Sequence, residues 1–189
     1  MKILILNSEQ QVSAVYIKAL TMIVMVMGLP GSGKTYFASR LAKAIDAEYL
    51  SSDRLRKTII TKRTYSEKEK GSVYDEMLLR MRKVVKKKKD IVLDATFYKS
   101  SIRKKFIMEG EGLDDLILIE IIASEPVIEQ RLKKIREDSE ADFRVYKIIK
   151  AEWEPVVHHH LILQSENDNI EDMLHTAISY LHSNEKRRD

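Results

Sequence analysis

The stretch Gly28-Leu29-Pro30-Gly31-Ser32-Gly33-Lys34-Thr35 constrains this chain more than any other. Its spacing, Gly-x-x-x-x-Gly-Lys-Thr, is that of a phosphate-binding P-loop. An unbroken apolar run, Met22-Ile23-Val24-Met25-Val26-Met27, precedes it and suits a strand buried on both faces. Thr35 to Ile45 follows with helical spacing, placing Phe37, Leu41, Ala44 and Ile45 on one side. The motif therefore stands in the strand–loop–helix context that its chemistry requires. Backbone N–H groups must converge on a polyphosphate and Cβ atoms would crowd it, which accounts for Gly28, Gly31 and Gly33. The helix N-terminus adds unpaired donors and partial positive charge. Lys34 is the candidate for the β- and γ-phosphates, and the Thr35 hydroxyl for Mg²⁺. Pro30, Ser32 and Tyr36 complete the candidate nucleotide contacts.

The loop says that nucleotide phosphates bind; it does not say what becomes of them. The rest of the chain alternates strands and helices. Strands are expected at Met22–Met27, Ala47–Ser51, Asp90–Thr96, Leu116–Ile122 and His160–Gln164. Between them lie a short helix from Ser52 and a long one after Ser66, where Ser66 and Glu69 form a capping box. Further helices are expected from Lys99, from Ser124 with Pro126 in its first turn, from Phe143 and from Ile170. Such alternation implies an α/β, three-layer P-loop NTPase fold of kinase type, with a five-stranded parallel sheet and helices on both faces. The 189 residues suit one such domain, placed at 22–184. Residues 1–21 read as an accessory extension or an over-long gene start, with an extra edge strand as the alternative, and 185–189 as a charged tail. The chain has no cysteine, which excludes disulfides and Cys-based zinc sites and makes a reducing cytoplasm the natural compartment. No apolar run approaches the ~20 residues of a membrane span.

In such folds ligands sit beyond the carboxyl ends of the strands, so the acids placed there choose the chemistry. Asp94 ends the run Ile91-Val92-Leu93 and can hold Mg²⁺, directly or through water; the plain alternative is a buried structural acid. Ala95 follows it, where hydrolytic motors carry a second acid to activate water. That absence favours transfer to another acceptor. Asp53 opens the helix after the second strand, either as an N-cap or as the base that takes an acceptor's proton. Arg56 lies one turn on, either in a surface ion pair or orienting the acceptor. Arg131, Lys133, Lys134 and Arg136 form a basic segment that reads as a solvated helix end or as a lid over the phosphates. His158 and His160 share one face of an extended segment without further ligands nearby, and the basic run Arg80 to Lys89 reads as a solvated helix end.

Gly28–Thr35, Ser52-Asp53-Arg54-Leu55-Arg56-Lys57-Thr58-Ile59 and Leu93-Asp94-Ala95-Thr96 together resemble the P-loop kinases of the polynucleotide 5′-hydroxyl kinase and zeta-toxin branch. Ser139–Phe143 through Trp153-Glu154-Pro155 resembles the AAA family ATPase members of that group, and the resemblance spans about residues 22–182. It implies that Asp53 activates the acceptor hydroxyl and that Arg56 meets a phosphate of a nucleic-acid acceptor. It also implies that the arginines around Arg131 and Arg136 close over ATP. The resulting expectation is an ATP- and Mg²⁺-dependent phosphotransferase acting on a hydroxyl, with an RNA or DNA 5′ end as one acceptor. A small-molecule kinase and a slowly hydrolysing nucleotide switch are the alternatives.

Overall fold

The run Met22–Met27 forms a strand, β1, in which every residue is buried, and the fold is arranged around it. The computed structural model describes residues 21–60, 66–111, 115–133 and 141–186. The expectations for residues 1–20, for Lys134 and Arg136, and for the last three residues lie outside them. In chain order the remaining elements are α1 (Lys34–Ala44), β2 (Glu48–Ser51), α2 (Ser52–Ile59), α3 (Glu67–Lys86), β3 (Ile91–Asp94) and α4 (Ser100–Glu111). They continue with β4 (Asp115–Ile122), α5 (Glu125–Leu132), α6 (Phe143–Ala151), β5 (Leu161–Gln164) and α7 (Ile170–Lys186).

The five strands pair in parallel, in the order β2-β3-β1-β4-β5. Strand alternation explains why β1 is apolar throughout. Ile23, Met25 and Met27 join one core with Leu93 and Leu118, covered by Val73, Met77 and Met81 of α3 and Phe106 of α4. Met22, Val24 and Val26 join the opposite core with Val92 and Ile119, covered by Phe37 and Leu41 of α1 and Met173 and Ala177 of α7. Each fully buried Ile, Val or Met side chain contributes roughly 1.5–3 kcal/mol of transfer free energy, so a two-faced strand is a strong organiser.

The capping box forms on its backbone side: Glu69 N–H donates to Ser66 Oγ at 3.3 Å, starting α3 where the sequence signals it. Asp90 buttresses the base of the sheet, its Oδ1 accepting from Met22 N–H at 2.8 Å. The last expected strand begins at Leu161 rather than His160. The His160 ring is engaged instead, Nε2 facing Glu120 Oε2 at 3.1 Å and Nδ1 facing the His158 carbonyl at 2.7 Å.

The α3–α4 side of the core contains an aromatic group of Tyr74, Phe97 and Phe106. Phe106 lies 5.1 Å from Phe97 and 6.3 Å from Tyr74, both edge-on. Phe106→Ala should therefore destabilise the chain by about 3–5 kcal/mol in denaturant unfolding, since the packed rings leave little room for collapse.

Candidate active site

Strand register aligns the functional segments. Val26 of β1 pairs with Asp94, and Asp94 pairs with Ser51 of β2, so the three strands end at one level. The P-loop, the loop after Asp94 and the first turn of α2 all leave from that level, on the carboxyl side of the sheet.

The P-loop is held open from behind. Gly28 has φ +153°, and a Cβ there would fall inside van der Waals distance of the Ile121 carbonyl oxygen, so only glycine lets the loop leave β1 beside β4. Gly33 is the N-cap of α1 with φ +96°, and no side chain caps the helix. The first amides of α1 are thus left to a ligand. A Cβ on Gly33 would lie 2.7 Å from Ser165 Oγ and 3.2 Å from Arg131 Nη1, which shows how closely the bracing packs. Arg131 Nη1 donates to the Ser32 carbonyl at 3.1 Å and to Ser165 Oγ at 3.1 Å. Its Nη2 donates to the Glu166 carbonyl at 2.6 Å, and its Nε to Asn167 Oδ1 at 3.3 Å. The structure places Arg131 on the carbonyl side of the loop, tying it to the segment after β5. Pro30 and Ser32 are buried within the loop, and Ser32 Oγ has no hydrogen-bond partner among the described residues. Tyr36 points outward from α1, with the Arg40 guanidinium 3.4 Å from its ring centroid.

Lys34 and Asp94 are both buried beside the loop. Tyr49 Oη donates to Asp94 Oδ2 at 2.7 Å, while Asp94 Oδ1 has no hydrogen-bond partner among the described residues. Burial raises the Asp94 pKa; Lys34, Tyr49 and Thr35 pull it back down, and Asp53 adds to the rise. Burial and the adjacent carboxylate push the Tyr49 phenol upward as well, so it remains a donor. A buried carboxylate oxygen without a partner, next to the Thr35 hydroxyl and the phosphate loop, suits a divalent cation. Among the described residues no three His, Cys, Asp or Glu side chains gather as a metal cluster. Mg²⁺ in nucleotide sites needs none, taking most of its ligands from phosphate and water.

On the β2 side, Asp53 lies in the first turn of α2, whose N-cap is Ser51. Arg56 Nη1 donates to Asp53 Oδ1 at 3.1 Å, and Arg56 Nε lies 3.2 Å from Glu69 Oε1 of α3. Asp53 keeps 28% exposure of its side chain while Glu69 keeps 5%. The guanidinium is thus held between two carboxylates. Glu69, legible in the sequence as the capping-box partner of Ser66, also reaches across to the site.

The loop after Asp94 forms the floor between these halves. Phe97 adopts φ +49°, a conformation that costs a non-glycine residue of order 1–3 kcal/mol and needs surrounding structure to hold it. Arg103 supplies that structure. It is 3% exposed and donates to four carbonyls, those of Phe97 and Tyr98 (2.8 and 3.1 Å) and of Glu154 and Pro155 (2.9 and 2.8 Å). Ser100 N–H donates to Glu154 Oε2 at 2.6 Å. The site floor is thereby joined to the segment after α6. Sequence reading passed over both Arg103 and Tyr49. Arg103 stands among exposed basic residues, and Tyr49 becomes visible only through register: paired to Val92, it shares a sheet face with Asp94.

The fold is that of a P-loop NTPase of kinase type. Residues 23–156 match the family model described as AAA domain, and the chain belongs to that family. No curated protein matches the chain. Among solved structures, it is similar to a sugar kinase from Janibacter sp. HTCC2649 (18% identity, TM-score 0.67, covering 86% of this chain and 95% of that one). It is similar too to a gluconokinase from Sinorhizobium meliloti 1021 (15%, 0.68, 90% and 98%). A third is the Mycobacterium tuberculosis APS kinase in complex with AMPPNP and APS (16%, 0.67, 86% and 98%). At these identities the likeness is one of fold.

Asp94 gives a signed prediction. Its pKa is raised in the folded chain, so its contribution to stability is fully present below the ordinary value of 3.8 and is lost as pH rises through the raised value. Asp94→Asn should therefore stabilise the nucleotide-free protein at neutral pH. The gain should shrink as pH falls and the wild-type carboxyl protonates. Thermal unfolding of both forms across pH checks it.

Proposed function

We propose that this chain is an ATP- and Mg²⁺-dependent phosphotransferase that moves the γ-phosphoryl group to a hydroxyl of an acceptor. The observation that carries the reading is the two-sided site at one sheet level. The uncapped α1 N-terminus, Lys34, Thr35 and Asp94 form a donor half, and Asp53 with Arg56 forms an acceptor half. Lys34 and the loop amides position the phosphates, and Thr35 with Asp94 holds the cation, whose chemistry is to neutralise charge on the transferring group. Asp53 takes the proton of the acceptor hydroxyl. Arg131 acts through the loop by fixing its carbonyl side. Ala95 lacks the carboxylate that would activate water, which favours transfer over hydrolysis.

Of the two acceptor classes, a small molecule is the better supported. Arg56 already meets two carboxylates, so an acceptor phosphate gains little net attraction there. The similar solved structures named above include a sugar kinase, a gluconokinase and an APS kinase. The Asp53-x-x-Arg56 spacing is what favours the second reading, a nucleic-acid 5′-hydroxyl.

A panel of sugars, sugar acids, nucleosides and 5′-hydroxyl oligonucleotides with γ-labelled ATP tests this. We expect label in a small-molecule acceptor. Asp53→Asn should lower the transfer rate by about 10²–10⁴-fold while ATP affinity stays within about twofold. Intact transfer in Asp53→Asn would remove the base assignment. Release of free phosphate alone, with nucleotide affinity altered by a partner protein, would establish the switch instead.

A further inference from the structure

Tyr49 belongs to no motif of the site, yet it holds the carboxylate on which the metal side of the donor half depends. Its side chain leaves β2 on the α1 side of the sheet, opposite Val92 and diagonal to Asp94. From there Oη donates to Asp94 Oδ2 at 2.7 Å. The ring is half-buried, with the Arg54 guanidinium 5.3 Å from its centroid on one side, so the hydroxyl is delivered from a packed position.

The geometry has a specific effect. A carboxylate turns freely about its terminal torsion unless one oxygen is tethered. Tethering Oδ2 leaves Oδ1, which is shut away from solvent with no hydrogen-bond partner among the described residues, on a carboxylate that the Thr35 side chain also acts on. Untethered, the carboxylate could swing to pair with the buried Lys34 ammonium, whose charge already acts on it. That pairing would draw the carboxylate away from the cation.

We propose that Tyr49 is a positioning residue for the metal. It fixes the Asp94 rotamer so that Oδ1 is presented to the divalent cation arriving with the nucleotide, and it keeps Asp94 from collapsing onto Lys34. The proposal rests on the reading of Asp94 as the metal-side carboxylate.

The test uses the full chain with Tyr49→Phe, Asp94→Asn and the double variant. Mn²⁺ is titrated by electron paramagnetic resonance in saturating ADP, ADP affinity is measured in EDTA, and thermal unfolding is recorded for each. Tyr49→Phe should weaken Mn²⁺ binding in the ternary complex by about tenfold or more, the usual scale for removing a residue that orients a metal ligand. Metal-free ADP affinity should stay within about twofold, a split that a merely structural loss would not produce. The double variant should bind Mn²⁺ no worse than Asp94→Asn, because Tyr49 acts through that carboxylate. Unchanged Mn²⁺ affinity in Tyr49→Phe, with loss in Asp94→Asn, overturns the proposal while leaving Asp94 as the metal-side group. Additive losses in the double variant overturn it too, by showing that Tyr49 acts elsewhere. Unchanged Mn²⁺ affinity in Asp94→Asn removes the underlying reading itself.

Discussion

Two unmet electrostatic demands sit side by side at the end of the sheet. Among the described residues, no side chain caps the N-terminus of α1, and one oxygen of the buried carboxylate that ends β3 has no hydrogen-bond partner. Either would be a defect in a chain selected for stability alone. Unsatisfied buried polar groups cost about 1–3 kcal/mol each, a large share of an ordinary domain's margin. Their signs differ, however: the amides want an anion and the carboxylate wants a cation. A nucleotide polyphosphate with its divalent ion meets both at once. The remainder of the fold can be understood as what keeps these two demands open, close and unable to satisfy each other.

Three side chains carry most of that burden, each from a different layer. Arg131 grips the P-loop by its carbonyls, turning the peptide units so that their N–H groups face the other way. Tyr49 holds the carboxylate by one oxygen. Arg103 holds the floor beyond Asp94 in a conformation that Phe97 would not adopt alone, and ties it to the chain after α6. In each case a buried or half-buried polar group is satisfied by main-chain or carboxylate partners. The cost of the site is thus offset by bonds just outside it, as expected where local strain is stored for function.

This division explains what the sequence disclosed. The P-loop was legible because its chemistry is local: glycines, lysine and threonine stand in a run, between an apolar strand and an amphipathic helix. The sheet was legible because burial on both faces writes continuous apolar runs into β1 and β4. Asp94 ends β3 and Asp53 lies in the first turn after β2, positions that the sequence marks as strand ends. The supporting residues were not, because their partners are distant in the chain. Arg103 lies about fifty residues from Glu154 and Pro155, and its neighbours Lys104 and Lys105 are exposed cations. Arg131 is legible as a solvated helix-end cation or a lid residue, while its bonds to the loop carbonyls and to the segment after β5 are not. Glu69 is the subtlest case: the capping box accounts for it fully in sequence terms, so nothing signals its second role.

That second role bears on the acceptor. An arginine offered to a phosphate is useful when its charge is available, and Arg56 is bracketed by Asp53 and Glu69 at 3.1 and 3.2 Å. Introducing an acceptor phosphate would set a third anion against two that are already placed, and the Coulomb gain from Arg56 would be largely cancelled. A neutral hydroxyl-bearing group meets no such penalty. It can accept from the guanidinium fork while its proton faces Asp53, and the bracketing carboxylates then serve to fix the fork. The spacing of Asp53 and Arg56 alone suggests a phosphate clamp, whereas Glu69, brought against Arg56 by α3, lessens the attraction that these two residues offer a further anion.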